Sequence, residues 1–137
     1  MLSRLVGHFL QQGEAMAMVL CTGTNPSLMQ TRAMILERAG HKVIRATNEP
    51  QLIEACSKVS FDVAVIGHSV PELEKSRVLR LIREHCPKIK VLELFIPSQG
   101  KKLAEADDWL EGPIPHPSDL VERVSTLASK AADASST

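Results

Sequence analysis

The feature that most constrains this chain is a short apolar run, FDVAVIGHSVP, at residues 61–71. Its consecutive apolar residues, 63–66, are typical of a central strand that is buried on both faces of a parallel sheet. Gly67, His68 and Ser69 follow where the strand should enter a loop. Ligands and chemistry usually lie at the carboxyl ends of such strands. These three positions therefore limit what the protein can do, and none of them is acidic.

Strand and helix patterns alternate along the rest of the chain. Apolar strand patterns precede and follow the central run, at residues 16–22, 41–46 and 89–95 and at Trp109 with Leu110. Helical patterns follow the strands, from Pro26 to about Ala39, after Asn48, from about Glu74 to His85, as a stub at 101–106, and from Leu120 to Ala128. This alternation predicts an α/β fold, a flavodoxin-like three-layer sandwich. We expect a five-stranded parallel sheet in the order 2-1-3-4-5 with a shortened fourth helix.

Several residues are predicted to mark helix ends or helix faces. Asn25 should cap the first helix, with Pro26 at its first position, and Asn48 should cap the second. Gly40 should close the first helix. On the third helix, a set of charged side chains is expected to face water: Lys75, Arg77, Arg80, Arg83 and Glu84.

Composition limits the partners and the compartment. The 137 residues suit one domain, and 16 basic side chains balance 16 acidic ones. Without a net positive field we expect no binding to nucleic acid or to a membrane surface. No apolar run approaches the ~18 residues of a membrane span. The three cysteines are widely spaced and have apolar neighbours in the sequence: Cys21, Cys56 and Cys86. We therefore expect reduced, buried thiols in a cytoplasmic protein.

The chain divides into three parts at this level. Residues 1–14 carry a short amphipathic pattern and form an accessory N-terminal helix, unless Met16 or Met18 is the natural start. Residues 15–129 form the main domain. Residues 130–137 are small and polar, and we expect a disordered tail.

The order of these segments resembles the receiver domain of two-component response regulators. The resemblance covers Met16 to about Leu127 and depends on the register of four segments: AGHKV at 39–43, FDV at 61–63, Pro71, and ADDWL at 106–110. It implies a signalling protein. In the family, an acidic pair binds Mg²⁺, an Asp accepts the phosphoryl group, and a hydroxyl residue and a Lys sense it.

This chain departs from the family pattern at every one of those positions. The acidic pair falls on Gly23 and Thr24, the phosphoacceptor on Gly67, the hydroxyl residue on Phe95 and the Lys on Gly112. Mg²⁺ needs oxygen ligands such as carboxylates, and an acyl phosphate needs a carboxylate nucleophile. The sequence thus predicts a pseudo-receiver that is not phosphorylated by the receiver mechanism. His68 completes the degenerate pocket.

The resemblance also implies where partners would bind. Receivers use the face formed by the fourth helix, fifth strand and fifth helix, and here the segment from Phe95 to Trp109 is shorter than usual. Trp109 takes the place of the family's switching aromatic residue, with Lys101 and Lys102 nearby. We expect a stand-alone protein-interaction module that is a monomer or a weak homodimer. A Trp109 that only caps the core is an equal alternative.

Other chemistries receive less support. His68 and Ser69 are adjacent, but neighbours on an extended segment point to opposite sides, so a catalytic pair is disfavoured. The His and Cys spacings match no metal motif, and we expect neither a cofactor nor an enzyme. Residues 23–26 precede a helix and form a generic anion site without a nucleotide motif. The remaining alternative is a module that senses a small ligand or anion through the vacated pocket of Gly23, Thr24, Gly67, His68 and Gly112.

Overall fold

The computed structural model of the protein describes residues 16–99, 102–112 and 116–136. The predicted helix at residues 1–14 lies outside these ranges, as does Lys101. The strands are β1 (Met18–Thr22), β2 (Lys42–Ala46), β3 (Val63–Ile66), β4 (Lys90–Phe95) and β5 (Asp108–Glu111). The helices are α1 (Pro26–Arg38), α2 (Glu49–Lys58), α3 (Glu72–His85) and α4 (Pro117–Ser136). All strand pairs are parallel and the order is β2-β1-β3-β4-β5, so the predicted fold class is confirmed.

The sheet has a hydrophobic core on each face, and β3 supplies both. Val63 and Val65 pack against residues of α1 and α4, whereas Ala64 and Ile66 pack against residues of α2 and α3. All four side chains are at most 1 % exposed. This alternation explains the continuous apolar run, because a strand covered on both faces has no side that favours polar residues.

The predicted caps are also present. Asn25 accepts a hydrogen bond from the backbone N of Leu28 at 3.1 Å, and Asn48 accepts one from Gln51 at 2.9 Å. Pro26 is the first residue of α1. Gly40 has a backbone φ of 98°, a left-handed conformation that residues other than Gly rarely adopt.

The segment between β4 and β5 differs from the prediction. It contains a 3-10 helix at Pro97–Gln99, and its described residues 102–107 form no α-helix, so the predicted stub at 101–106 is wrong. The backbone of Leu103 explains the difference. Its N–H donates to Glu93 at 2.6 Å and its carbonyl accepts from Trp109 Nε1 at 2.8 Å. These two bonds use backbone groups that a helix would need.

The chain end also differs, because α4 continues to Ser136. The segment from Ala128 onward, ASKAADASS, contains several Ala residues, the best helix formers. Helix propensity therefore extends α4 through residues that the sequence predicts as a disordered tail.

The cysteine prediction is wrong for two residues and right for the third. Cys56 of α2 and Cys86 at the end of α3 form a disulfide, with a Cα–Cα distance of 5.3 Å. They are 30 residues apart in sequence, and the packing of α2 beside α3 brings them together. Cys21 is free and buried, as expected.

Among the described residues, no helix combines the length and the apolar character that a membrane span needs.

Candidate functional site

The candidate site lies at the carboxyl ends of the strands, where the fold brings the predicted pocket positions together. Thr24, after β1, donates a hydrogen bond to the backbone oxygen of Ser69, after β3, at 3.2 Å. Gly112, after β5, donates its N–H to the carbonyl of Phe95 at 2.7 Å. Gly67 donates its N–H to a carbonyl of β1 at 3.0 Å. The five positions that correspond to the functional residues of receivers therefore lie at one edge of the sheet. They are Gly23, Thr24, Gly67, Phe95 and Gly112.

A buried arginine fills the space next to Gly67. A Cβ atom built on Gly67 would lie 2.7 Å from Nη1 of Arg32 and 3.1 Å from the carbonyl oxygen of Thr22. Arg32 comes from α1 and is 7 % exposed. The guanidinium thus occupies the place into which any side chain at position 67 would project.

Arg32 has no acidic partner in the part of the chain that the structure describes. None of the ion pairs or side-chain hydrogen bonds between described residues includes Arg32. Burial lowers the pKa of its guanidinium. Burial raises the pKa of Cys21 to about 12, so the thiol stays protonated and supplies no negative charge. Arg32 is therefore a buried cation without a counter-ion among the described residues.

His68 carries an unsatisfied polar atom at this edge. Its Nδ1 is buried and has no hydrogen-bond partner among the described residues. Burial lowers the pKa of His68, and the positive charges of Arg32 and Lys75 lower it further, so the ring is neutral near pH 7. The ring lies against Gly112, where a Cβ atom would be 3.6 Å from His68 Cδ2.

Three residues of the predicted pocket, Gly23, Thr24 and His68, line two separate cavities, and Gly67, Phe95 and Gly112 line neither of the two. One, of about 270 Å³, is lined by Gly23 and Thr24 together with residues of α2 and α3. The other, of about 220 Å³, lies between α1 and α4 and is lined by Leu28, Thr31, Arg32, Ile35, His68, Pro117 and Leu120. Arg32 and His68 share this second cavity.

The described residues contain no cluster of three or more His, Cys, Asp or Glu that could hold a metal ion. Ser69 is no partner for His68 Nδ1, and its Oγ instead lies 3.4 Å from the Thr24 hydroxyl. The site therefore offers a cation, a neutral imidazole and apolar walls, which suit binding of an anion better than transfer of a phosphoryl group.

A buried ion pair joins α3 to β4 near the site. Lys75, which the sequence placed in water, is 7 % exposed and binds Glu93 of β4 at 2.8 Å. Lys75 Nζ also donates to the carbonyl of Leu94 at 3.1 Å. Glu93 is fully buried and accepts from the N–H of Leu103 as well. The pair ties α3 to β4 and to the β4–β5 segment.

The described residues of the predicted interaction face contact one another. Trp109 is half-buried, and its Nε1 donates to the carbonyl of Leu103. Lys102 Nζ lies 5.4 Å from the ring centres of both Phe95 and Trp109. Beside this group, a groove of about 550 Å³ separates α3 from the β4–β5 segment and is lined by Glu72, Ser76, Leu79, Arg80, Arg83, Lys102, Leu103, Ala104 and Glu105.

Sequence reasoning missed Arg32 and the Lys75–Glu93 pair. Arg32 lies three residues after Met29 and four before Leu36, so its spacing already placed it on the buried face of α1. Glu93 interrupts an otherwise apolar strand, which indicates a buried charge that needs a partner. The identity of that partner depends on the tertiary packing of α3.

Comparison with known proteins identifies the fold. No protein-family model matches the sequence, and no curated protein matches it. Among solved structures, a CheY-like response regulator receiver domain from Methanospirillum hungatei is 18 % identical with a TM-score of 0.72, covering 85 % of this chain and 97 % of its own. A putative response regulator from Chloroflexus aurantiacus is 21 % identical with a TM-score of 0.69, covering 83 % and 98 %.

A third similar structure is the receiver domain of a sensor histidine kinase from Pseudomonas aeruginosa, which holds a magnesium ion in its active-site cleft. It is 16 % identical with a TM-score of 0.66, covering 83 % of this chain and 98 % of its own. The protein therefore has the fold of the CheY-like receiver domains of response regulators.

Proposed function

We propose that this protein is a pseudo-receiver that is not phosphorylated and that regulates a two-component-type pathway by contact with another protein. The observation that carries the proposal is the position of Arg32, whose guanidinium fills the space next to Gly67. A phosphoacceptor needs a carboxylate in that space. The chain supplies a buried cation there instead.

The surrounding chemistry supports the same conclusion. Phosphoryl transfer to a carboxylate needs a metal ion that neutralises the developing charge. Gly23 and Thr24 offer no carboxylate to such a metal, and Gly112 offers no cation to a bound phosphoryl group. We therefore assign the protein no enzymatic activity and no cofactor.

The output face supports protein contact without a phosphorylation-driven switch. Trp109 is fixed to Leu103 by a hydrogen bond, and Lys102 covers both Phe95 and Trp109. Aromatic residues with an adjacent cation are common anchors of protein interfaces. With a net charge of zero the chain is a poor ligand for nucleic acid, so we place its partner among signalling proteins. We expect a monomer or a weak homodimer.

Phosphorylation is tested by incubation with acetyl phosphate and Mg²⁺, followed by mass analysis with and without hydroxylamine. We expect no added phosphoryl group on the wild type or on Gly67→Asp, because the variant still lacks the acidic pair. A hydroxylamine-sensitive label on the wild type contradicts the proposal.

Protein contact is tested by affinity capture with single-residue variants. Lys102→Glu should abolish capture of the partner, whereas Lys42→Glu, on the opposite edge strand, should retain it and serves as the matched control. Gly67→Asp should also retain it. Capture that is equally sensitive to Lys42→Glu and Lys102→Glu contradicts the assigned face.

A second candidate function is sensing of a small ligand or anion at the same sheet edge. Arg32 without a counter-ion and the unpartnered Nδ1 of His68 favour it specifically. A thermal shift caused by a small anion, and abolished by a bulky replacement near Arg32, separates this candidate from protein contact.

A further inference from the structure

The cavity between α1 and α4 contains two polar groups that have no partner within residues 16–99, 102–112 and 116–136. Arg32 lines the cavity, and only 7 % of its surface is exposed. His68 lines it too, and its buried Nδ1 makes no hydrogen bond with the described residues. A buried charge without a counter-ion destabilises a protein, and so does a buried polar atom without a partner. Both costs fall if one anion binds between them.

The remaining walls of the cavity are mostly apolar. Leu28, Ile35, Pro117 and Leu120 line it, and the hydroxyl of Thr31 is already bonded to the backbone of α1. Such walls disfavour a dianion such as inorganic phosphate, because the two polar groups cannot replace its hydration. They favour a ligand with one negative charge and an apolar body.

The volume sets the size of that body. The cavity measures about 220 Å³. An apolar cavity of about 150 Å³ is enough to hold benzene. There is therefore room for one six-membered ring and a carboxylate group.

We propose that Arg32 and His68 form a binding site for a small aromatic monocarboxylate. The carboxylate accepts hydrogen bonds from the Arg32 guanidinium. A rotation of the His68 ring brings its buried Nδ1, in the neutral tautomer that carries the hydrogen on Nδ1, within reach of the same carboxylate. The ring packs between the apolar side chains of α1 and α4. This site deepens the ligand-sensing candidate and needs neither a phosphoryl group nor a partner protein.

Benzoate is the probe, and benzamide is its neutral counterpart of the same shape. Titrations at constant ionic strength follow the NMR signals of the Arg32 guanidinium and the His68 ring. We expect saturable shifts of both signals with benzoate and none with benzamide. Inorganic phosphate should bind more weakly than benzoate. Equal shifts with benzamide, tighter binding of phosphate, or no saturable shift with benzoate would each overturn the proposal.

Three variants locate the site. Arg32→Met removes the cation, and Thr31→Trp fills the cavity from an exposed position, so it tests the site even where Arg32→Met fails to fold. Arg38→Met, at an exposed position at the end of the same helix, is the matched control. Arg32→Met should weaken benzoate binding about tenfold to hundredfold, the usual range for a lost charge-assisted hydrogen bond. Thr31→Trp should weaken it by occupying the space of the ring, and the control should not.

Equal affinity for the wild type and Thr31→Trp would overturn the cavity assignment. A negative result with benzoate leaves the acetyl phosphate and capture experiments unaffected, so failure of this site and failure of the pseudo-receiver proposal remain distinguishable.

Discussion

Arg32 Nη1 lies 2.7 Å from the place that a Cβ atom on Gly67 would occupy, so the two positions compete for one space. Gly67→Ala should therefore lower the free energy of unfolding by about 1 kcal/mol, the low end of the range for overpacking a core, because the Arg32 guanidinium ends a flexible side chain and can shift. The measurement is urea unfolding followed by circular dichroism.

The contact with Arg32 can be separated from the contact with the backbone of β1. Arg32→Met removes the guanidinium but leaves the Thr22 carbonyl, 3.1 Å from the same Cβ position. Gly67→Ala should cost less in the Arg32→Met background than in the wild type. Gly112→Ala is the control, because its Cβ would meet no atom closer than 3.6 Å. Strict additivity of the Gly67 and Arg32 changes contradicts the competition.

The Lys75–Glu93 pair gives a second prediction. Lys75→Met leaves the fully buried Glu93 carboxylate without its cation, and removal of one partner of such a pair typically costs about 3–5 kcal/mol. The double variant Lys75→Met with Glu93→Gln should be more stable than Lys75→Met alone, because no buried charge is left unpaired. Thermal unfolding of the three proteins measures the difference.

The exposed pair Lys58–Glu54 of α2 is the matched control for that experiment. Lys58→Met should leave the unfolding midpoint unchanged, because exposed ion pairs contribute little to stability. Equal effects of Lys58→Met and Lys75→Met would show that burial of the Lys75–Glu93 pair has no energetic consequence.

Local patterns in the sequence predicted most of the fold. The run at 63–66 identified the central strand because a doubly covered strand carries apolar residues on both faces, and Asn25 and Gly40 marked the ends of α1 through local backbone chemistry. The strand order followed from the alternation of elements and was confirmed. Such features depend on residues that are close in sequence.

The features that sequence reasoning missed join residues that are far apart in the chain. Cys56 meets Cys86, and Lys75 meets Glu93, only when helices settle on the sheet. The candidate site likewise combines features that single positions reveal with features that depend on tertiary packing. Its missing carboxylates were evident from single positions, whereas the Arg32 side chain that fills the space depends on how α1 packs beside β3.

The disulfide is tested by counting thiols under denaturing conditions. Without reductant we expect one reactive thiol, that of Cys21, and after reduction all three. The disulfide closes a loop of 30 residues, which corresponds to about 3–4 kcal/mol of stability in the chain-entropy model. Cys86→Ser should therefore lower the unfolding midpoint, and reductant should lower that of the wild type but not of the variant. Three reactive thiols without reductant contradict the pairing.

Buried histidines predict that stability falls as the solution becomes acidic. His41 is 4 % exposed, and its Nδ1 accepts a hydrogen bond from the N–H of Ala17 at 2.9 Å, which requires that nitrogen to be unprotonated. Burial lowers the pKa of His41 below its usual value of 6.5, although Asp62 opposes the shift. Burial and two cations likewise lower the pKa of His68.

The sign of the pH effect follows from where the protons bind. Below about pH 6.5 the unfolded chain takes up a proton at each of these histidines before the folded chain does. Stability is thus fully present above that pH and decreases as the pH falls, by up to about 1.4 kcal/mol per pH unit for each proton. Urea unfolding between about pH 7.5 and about pH 5 measures the slope. His41→Gln should reduce the slope and His116→Gln, at an exposed position, should not; an equal slope in all three proteins rules out His41 as its source.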